Sequence, residues 1–250
     1  MRGQIMKKEV YKIFKMYCQQ YKLNNYKSKK LWSIIRPICY HKEFLKRLQT
    51  PFWHHDIKTL GEHIICDAIV TYKIIDKVNK KNKKAINIYL AVIIAMFHDL
   101  YEKPWQNNLE LPRRKFKNNH GFTHPIEAIT NAITWFPNYF IEDKDTLIII
   151  DGVIHHMFPF PVRIIDNDLE LNNQEKYEKL DDKYKKIIKL STNIGKVGIF
   201  SIRKSFYIEG RIMSKADKIV AIRKDLKSID GYISFLTGKN KKLLKKEEKI

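Results

Sequence analysis

An all-α fold is what this sequence predicts, and three observations predict it. Apolar residues recur at helical spacing in segment after segment, strand-type alternation is weak throughout, and prolines and polar stretches cut the chain into pieces of helix length. Nothing repeats internally. At 250 residues, 44% of them hydrophobic, the chain can bury a sizeable core as one domain with an appendage.

The elements follow in order. Residues 1–50 carry thirteen Lys or Arg against Glu9 and Glu43, with aromatics interleaved as in VYKIFKMY and KKLWSIIRPICY, which reads as a pair of basic amphipathic helices packed beside the main domain. From Leu60 to Val78, Ile64, Ile65, Ala68, Ile69, Tyr72 and Ile75 form one stripe, with His63 at its start. After the NKKNKK linker comes INIYLAVIIAMFHDL, apolar on every side and therefore central to the core. Pro104 ends it. His124 precedes Pro125 and is expected at the cap of the helix PIEAITNAITWF, because proline suits a first helical position and restricts its predecessor. A helix beginning near Asp143 carries TLIIIDGVIHHMF and is stopped by Pro159 and Pro161. From Arg163 to about Lys196 the chain is polar, with KYEKLDDKYKKIIKL read as a solvent-facing helix, and GRIMSKADKIVAIRKDL is the last clear helix.

Against this background the histidines stand out. All nine lie between His41 and His156, mostly beside an acid or a proline. Asp99 ends an apolar run, and Asp217 shares a helical face with Met213 and Val220, so both carboxylates are expected to be buried. A buried unpaired charge is very unfavourable, so each needs a cation nearby. A helix cap or a Lys or Arg partner would satisfy Asp99 alone; the joint set, with imidazoles close in sequence, points to a borderline divalent metal. Cys18, Cys39 and Cys66 are odd in number and lack CxxC spacing, which argues against a disulfide framework or a zinc knuckle and fits a reduced cytoplasmic setting. The longest apolar run, Ile88 to Phe97, is far below the roughly 18 residues of a membrane span. The net charge of +21 accompanies the abundance of Lys, Asn and Ile that biased nucleotide composition produces, so it says only that anionic ligands are attracted.

His63, the His98–Asp99 doublet, His124, His156 and Asp217 occur in an order that resembles the HD-domain metal-dependent phosphohydrolase superfamily. HxxxTxxEH at 55–63, HD followed by Trp105, HGFTHP at 120–125, HMFP at 156–159 and ADK at 216–218 resemble, more narrowly, small HD phosphohydrolases of low-GC Gram-positive bacteria. The resemblance covers about residues 51–225. It implies an all-helical HD bundle over 51–235, with a basic helical extension at 1–50 and a basic tail at 236–250. It also implies a first metal on His63, His98, Asp99 and Asp217, and a second that shares Asp99 and takes His124 and His156. Adjacent helical residues point about 100° apart, so His155 and His156 cannot both face one ion; His156 holds the motif position, and His155 either supports the ligands or faces substrate, or is an ordinary surface histidine. His55 and His120 match motif positions and are assigned to phosphate binding or orientation, whereas His41 and His54 are read as ordinary histidines. Glu102 resembles the acid of HDxxE in nucleotide-hydrolysing relatives and, with His98 and Asp99, is a candidate catalytic group, although the Trp105 register points to the other subgroup.

The stretch between Phe160 and Arg203 exceeds what the resemblance leads one to expect; 163–200 is either an inserted lid that brings Arg163, Arg203 or Lys204 to phosphate or, the more common case, a solvated loop. The activity implied is hydrolysis of a phosphate ester, a nucleotide or small phosphodiester, by hydroxide generated at one or two divalent ions that also clamp phosphoryl oxygens. Mixed N and O ligands suit Fe, Mn, Co, Ni or Zn. Two other classes stay open: a nucleic-acid-binding module using the basic segments, and a nucleotide sensor without turnover.

Overall fold

The computed structural model describes residues 2–49, 53–54, 58–81, 85–103, 116–223 and 226–237, and it is all-α apart from short β-ladders. The basic N-terminal segment folds as α1 (Arg2–Gln20), α2 (Asn25–Cys39) and a short α3 (Lys42–Arg47). A two-residue ladder, β1 (Trp53–His54) with β2 (Lys58–Thr59), leads into α4 (Leu60–Asn79), and α5 (Ile88–Phe97) follows. Then come α6 (His120–Trp135), α7 (Asp143–Ile154), β3 (Val162–Arg163), α8 (Gln174–Glu178) and α9 (Asp182–Asn193). The hairpin β4 (Lys196–Val197) and β5 (Phe200–Ser201) precedes α10 (Ile208–Lys218), a π-helical turn at Ile219–Arg223 and α11 (Leu226–Leu236). Among the described residues no helix is long and apolar enough to cross a membrane.

The all-apolar α5 is the axis. Leu90 to Phe97 are all buried, and α2, α4, α7 and α10 pack around them. The basic extension is integral to this core: its polar faces carry the lysines while Val10, Phe14, Leu31, Ile35 and Ile38 join the same hydrophobic cluster. The Thr and Glu of HxxxTxxEH have a local purpose. Thr59 Oγ1 accepts from the Glu62 amide at 3.3 Å and the Glu62 carboxylate accepts from the Thr59 amide at 2.9 Å, a reciprocal capping box that starts α4 and fixes His63 in its first turn.

Three helix boundaries differ from expectation. α6 starts at His120 rather than at Pro125, because Asn119 caps it by accepting from the Gly121 amide at 3.1 Å; Pro125 then lies inside the helix and forgoes one backbone bond. The region read as one solvent-facing helix over 176–190 is two, α8 and α9, and Ile188, Ser191 and Thr192 of α9 are buried. The last helix is broken by the π-helical turn, and α11 follows. Residues 163–200 pack on α6 and α7, and β3, β5 and β4 form a three-stranded antiparallel sheet in that order, with Gly198 at φ 59° in the hairpin turn.

Candidate metal centre

Five helices converge on one point. His63 enters from the first turn of α4, His98 and Asp99 from the turn just past α5, His156 from the turn past α7, and His124 and Asp217 from within α6 and α10. Each turn is pinned from behind. The Leu100 carbonyl accepts from Asn131 Nδ2 at 2.7 Å and that of Tyr101 from the buried Arg47 guanidinium, which also stacks 4.6 Å from the Trp135 ring. The His156 carbonyl accepts from Ser214 Oγ at 2.5 Å and Lys218 Nζ at 3.1 Å. A Cβ on Gly210 would sit 2.8 Å from the Gly152 Cα, so α7 and α10 cross in contact at two glycines, and this spacing brings Asp217 to the cluster.

Asp99 lies at the centre. Its Oδ2 is 3.8 Å from His63 Nε2 and 3.5 Å from His98 Nε2; its Oδ1 is 3.5 Å from both His124 Nε2 and His156 Nε2. Asp217 Oδ1 lies 3.2 Å from His63 Nε2. All six predicted ligands are thus brought together, with Asp99 between the two imidazole pairs. A seventh group was not foreseen. Asp67, one turn after His63 on α4 and wholly buried, places Oδ2 2.9 Å from His63 Nε2 and 3.3 Å from His98 Nε2. A signal for it existed, since Asp67 is an acid inside the apolar run IICDAIV, the same criterion that singled out Asp99 and Asp217.

The imidazoles are oriented for ligation. His98 Nδ1 bonds the Ala95 carbonyl at 2.7 Å, His124 Nδ1 that of His120 at 3.0 Å and His156 Nδ1 that of Val153 at 2.7 Å. A carbonyl only accepts, so each Nδ1 carries the proton and each Nε2 turns a lone pair inward. His124 Nε2 and His156 Nε2 face each other at 3.3 Å, an arrangement of two lone pairs that calls for a cation. Among the described residues His98 Nε2 and Asp67 Oδ1 are buried without a hydrogen bond, and Asp67 Oδ2 has only the two imidazoles beside it. Groups of His63, Asp67, His98 and Asp217, and of His98, Asp99 and His156, can each hold an ion. Burial pushes Asp99 up, but His98, His156 and His124 outweigh it and hold the carboxyl well below the usual range. Burial opposes charge on His63, yet Asp67 and Asp217 raise it well above an ordinary imidazole. Burial pushes Asp67 up and takes His124 down to about 4, leaving His124 a neutral donor.

Access is from one side. Side-chain exposure is 11% at Asp217, 7% at Asp99 and 6% at His124, against 2% or less at His63, Asp67, His98 and His156.

Other predicted site residues lie elsewhere. Glu102 ends on Lys176 Nζ at 2.5 Å. Arg163 is fully buried, bonding Asp166 at 2.7 Å and the carbonyls of Ile164 and Ile199, and Arg203 bonds the Asp151 carboxylate at 2.5 Å, so both guanidiniums brace the 163–206 segment. Asp151, which also accepts from Ser205 Oγ at 2.6 Å and the Phe206 amide at 2.8 Å, is a structural hub that sequence reasoning missed. His120 stacks on His124 with ring centroids 5.0 Å apart. His155 turns away from the cluster to Ser191, while Lys204 is exposed over the Phe158 ring. His41 caps α3. His55 and Trp105 lie outside the described residues.

The helical architecture with its buried His/Asp cluster is compatible with an HD-like fold. No family model, no curated protein and no solved structure matches the chain.

Proposed function

We propose that the chain is an HD-domain metal-dependent phosphohydrolase that cleaves a phosphate ester, of the nucleotide or small phosphodiester class. The observation that supports this most is the position of Asp99, one carboxylate oxygen toward His63 and His98 and the other toward His124 and His156, with each imidazole presenting Nε2. His63, Asp67, His98 and Asp217 would hold one ion and His124 and His156 a second, with Asp99 contributing to both. Divalent ions there would polarise phosphoryl oxygens and acidify water near neutral pH. The residues themselves set the geometry. The backbone-locked tautomers of His98, His124 and His156 keep the lone pairs aimed before substrate arrives, and the least buried groups, Asp217, Asp99 and His124, mark the side from which an ester oxygen would approach. Glu102, spent on Lys176, is given no part in the reaction.

The test is a panel of phosphate esters, including nucleoside mono- and triphosphates and cyclic dinucleotides, with protein loaded with Mn or Fe. Turnover that His124→Ala and His156→Ala abolish while fold is retained is the expected result; no turnover of any ester by fully loaded protein would contradict it.

A second reading, binding of nucleic acid, has one observation in its favour. Lys7, Lys8 and Lys12 line a groove with Tyr11, Trp32 and Tyr40 on α1 and α2, a basic surface with ring faces for stacking. Salt-dependent binding of single-stranded DNA that Lys7→Glu/Lys8→Glu/Lys12→Glu removes would support it; unchanged binding would set it aside.

A further inference from the structure

A cavity of about 380 Å³ lies on the far side of α10 from Asp217. Ile208, Arg211, Lys215 and Lys218 recur along one face of that helix, while Asp217 looks into the metal cluster. The opposite wall is Tyr232 and Phe235 of α11, and Phe158 and Lys204 close the ends. Among the described residues no carboxylate lines it, although four cations do. Such a concentration of one sign around a partly apolar cavity repels itself and is relieved by a bound anion.

The cations differ in availability. Lys218 is committed, donating to the His156 carbonyl, the Ser214 carbonyl and Ser214 Oγ. Arg211 spends Nε and one terminal nitrogen on the carbonyls of Ser205 and Phe206, which fixes its plane and leaves the other terminal nitrogen. Among the described residues Lys204 and Lys215 form no ion pair; they lie over the rings of Phe158 at 5.5 Å and Tyr232 at 5.8 Å. Tyr232 and Phe235 stack at an interplanar angle of 14°. Two mobile ammonium groups and one fixed guanidinium, beside aromatic faces, suit a ligand that is anionic at one end and a flat ring at the other.

We propose that this cavity binds a nucleoside phosphate, its phosphates on Lys204, Lys215 and Arg211 and its base against Phe158, Tyr232 and Phe235. The volume lies within the range of small-molecule sites. The wall it shares with the metal centre is short: His155 lines the cavity and His156 the cluster, and Lys218 follows Asp217. A ligand here therefore touches the neighbours of two metal ligands without touching the cluster itself, so the cavity is a binding site separate from the metal centre, and its assignment does not rest on the phosphohydrolase reading.

Binding is tested apart from catalysis, on the full chain treated with EDTA. ADP, adenosine and ribose 5-phosphate are titrated calorimetrically into the wild type, Lys204→Glu/Lys215→Glu and Phe235→Ala. ADP is expected to bind more tightly than either fragment. The charge-reversed variant should weaken it at least tenfold and Phe235→Ala several-fold, with metal content on reloading equal to wild type. Both lysines are exposed, so their replacement leaves the fold intact, which circular dichroism checks; the neutral pair Lys204→Gln/Lys215→Gln should give an intermediate loss. Absence of ADP binding to wild type, with and without metal, or binding that the charge reversal leaves unchanged, would overturn the proposal. ADP bound but no phosphate ester turned over would instead sink the phosphohydrolase reading and leave the cavity assignment standing.

Discussion

Asp67 and Asp99 show what a single carboxylate does in this site. Asp99 was legible in the sequence because it interrupts the polarity of its surroundings at a helix end, where an acid beside a histidine has no solvent to excuse it. Asp67 meets the criterion of an acid within an apolar run, but it lies mid-helix with no motif around it to mark it; its partners are His63 one turn back on α4 and His98 just past α5. Asp67→Asn keeps the shape and removes the charge between His63 and His98; because Asp67 is itself placed among the groups that hold the ion, metal affinity is expected to fall by at least the ten- to hundredfold that loss of an outer-shell partner costs, as measured by competition with a chromophoric chelator. Equal affinity would make Asp67 a bystander. His63→Ala and Asp217→Ala should destroy the site they share with His98, whereas His124→Ala and His156→Ala should retain one ion; equal stoichiometry across the four variants would refute the division. The cysteines give a check of the core: burial pushes the Cys18 thiol up to about 12 and Cys39 higher still, and all three thiols are buried. Native protein should leave Ellman's reagent nearly unreacted at pH 8 and release three thiols on denaturation.

At the scale of elements, existence and type were readable from periodicity, and boundaries less so. The start of α6 depended on Asn119, a capping residue five positions before the histidine of interest, and that extra turn supplies the His120 carbonyl that locks His124. Arg163, Arg203 and Glu102 illustrate the other limit. In sequence each is a charged residue near a motif; Arg163 turns to Asp166 three residues on, whereas the partners of Arg203 and Glu102, Asp151 and Lys176, are chosen by tertiary packing that no local pattern encodes. Two changes test the elements directly. Thr59→Ala removes the capping box and should lower stability by about 1 kcal/mol, read by denaturant unfolding. Gly210→Ala pushes a methyl against Ser205 Oγ and the Gly152 backbone, and overpacking of this kind should cost ~1–3 kcal/mol while weakening metal binding, because α10 carries Asp217. Full stability with Ala at 210 would show that the helix crossing has slack.

Across the whole molecule, the cluster ties α4, α5, α6, α7 and α10 together around the axis of the core, so an ion bound there stabilises only the folded chain. The all-α class was readable from the apolar pattern, as was the burial of Asp99 and Asp217; the grouping of His63, His98, Asp99, His124, His156 and Asp217 came from a motif order that resembles the HD superfamily, because local periodicity does not say which helices meet. The cavity behind α10 was not readable, because its walls come from three distant segments. The tail KNKKLLKKEEKI, residues 239–250, lies outside the described residues; its deletion should leave metal content and turnover unchanged. The central claim is that Asp99 is shared by the metal-binding groups, and elemental analysis of purified wild type beside Asp99→Ala tests it most directly. One or two transition-metal ions per chain in the wild type, and loss of most of that metal in a folded Asp99→Ala, is the predicted result; a wild type that is metal-free and stays so after incubation with Mn or Fe would contradict it.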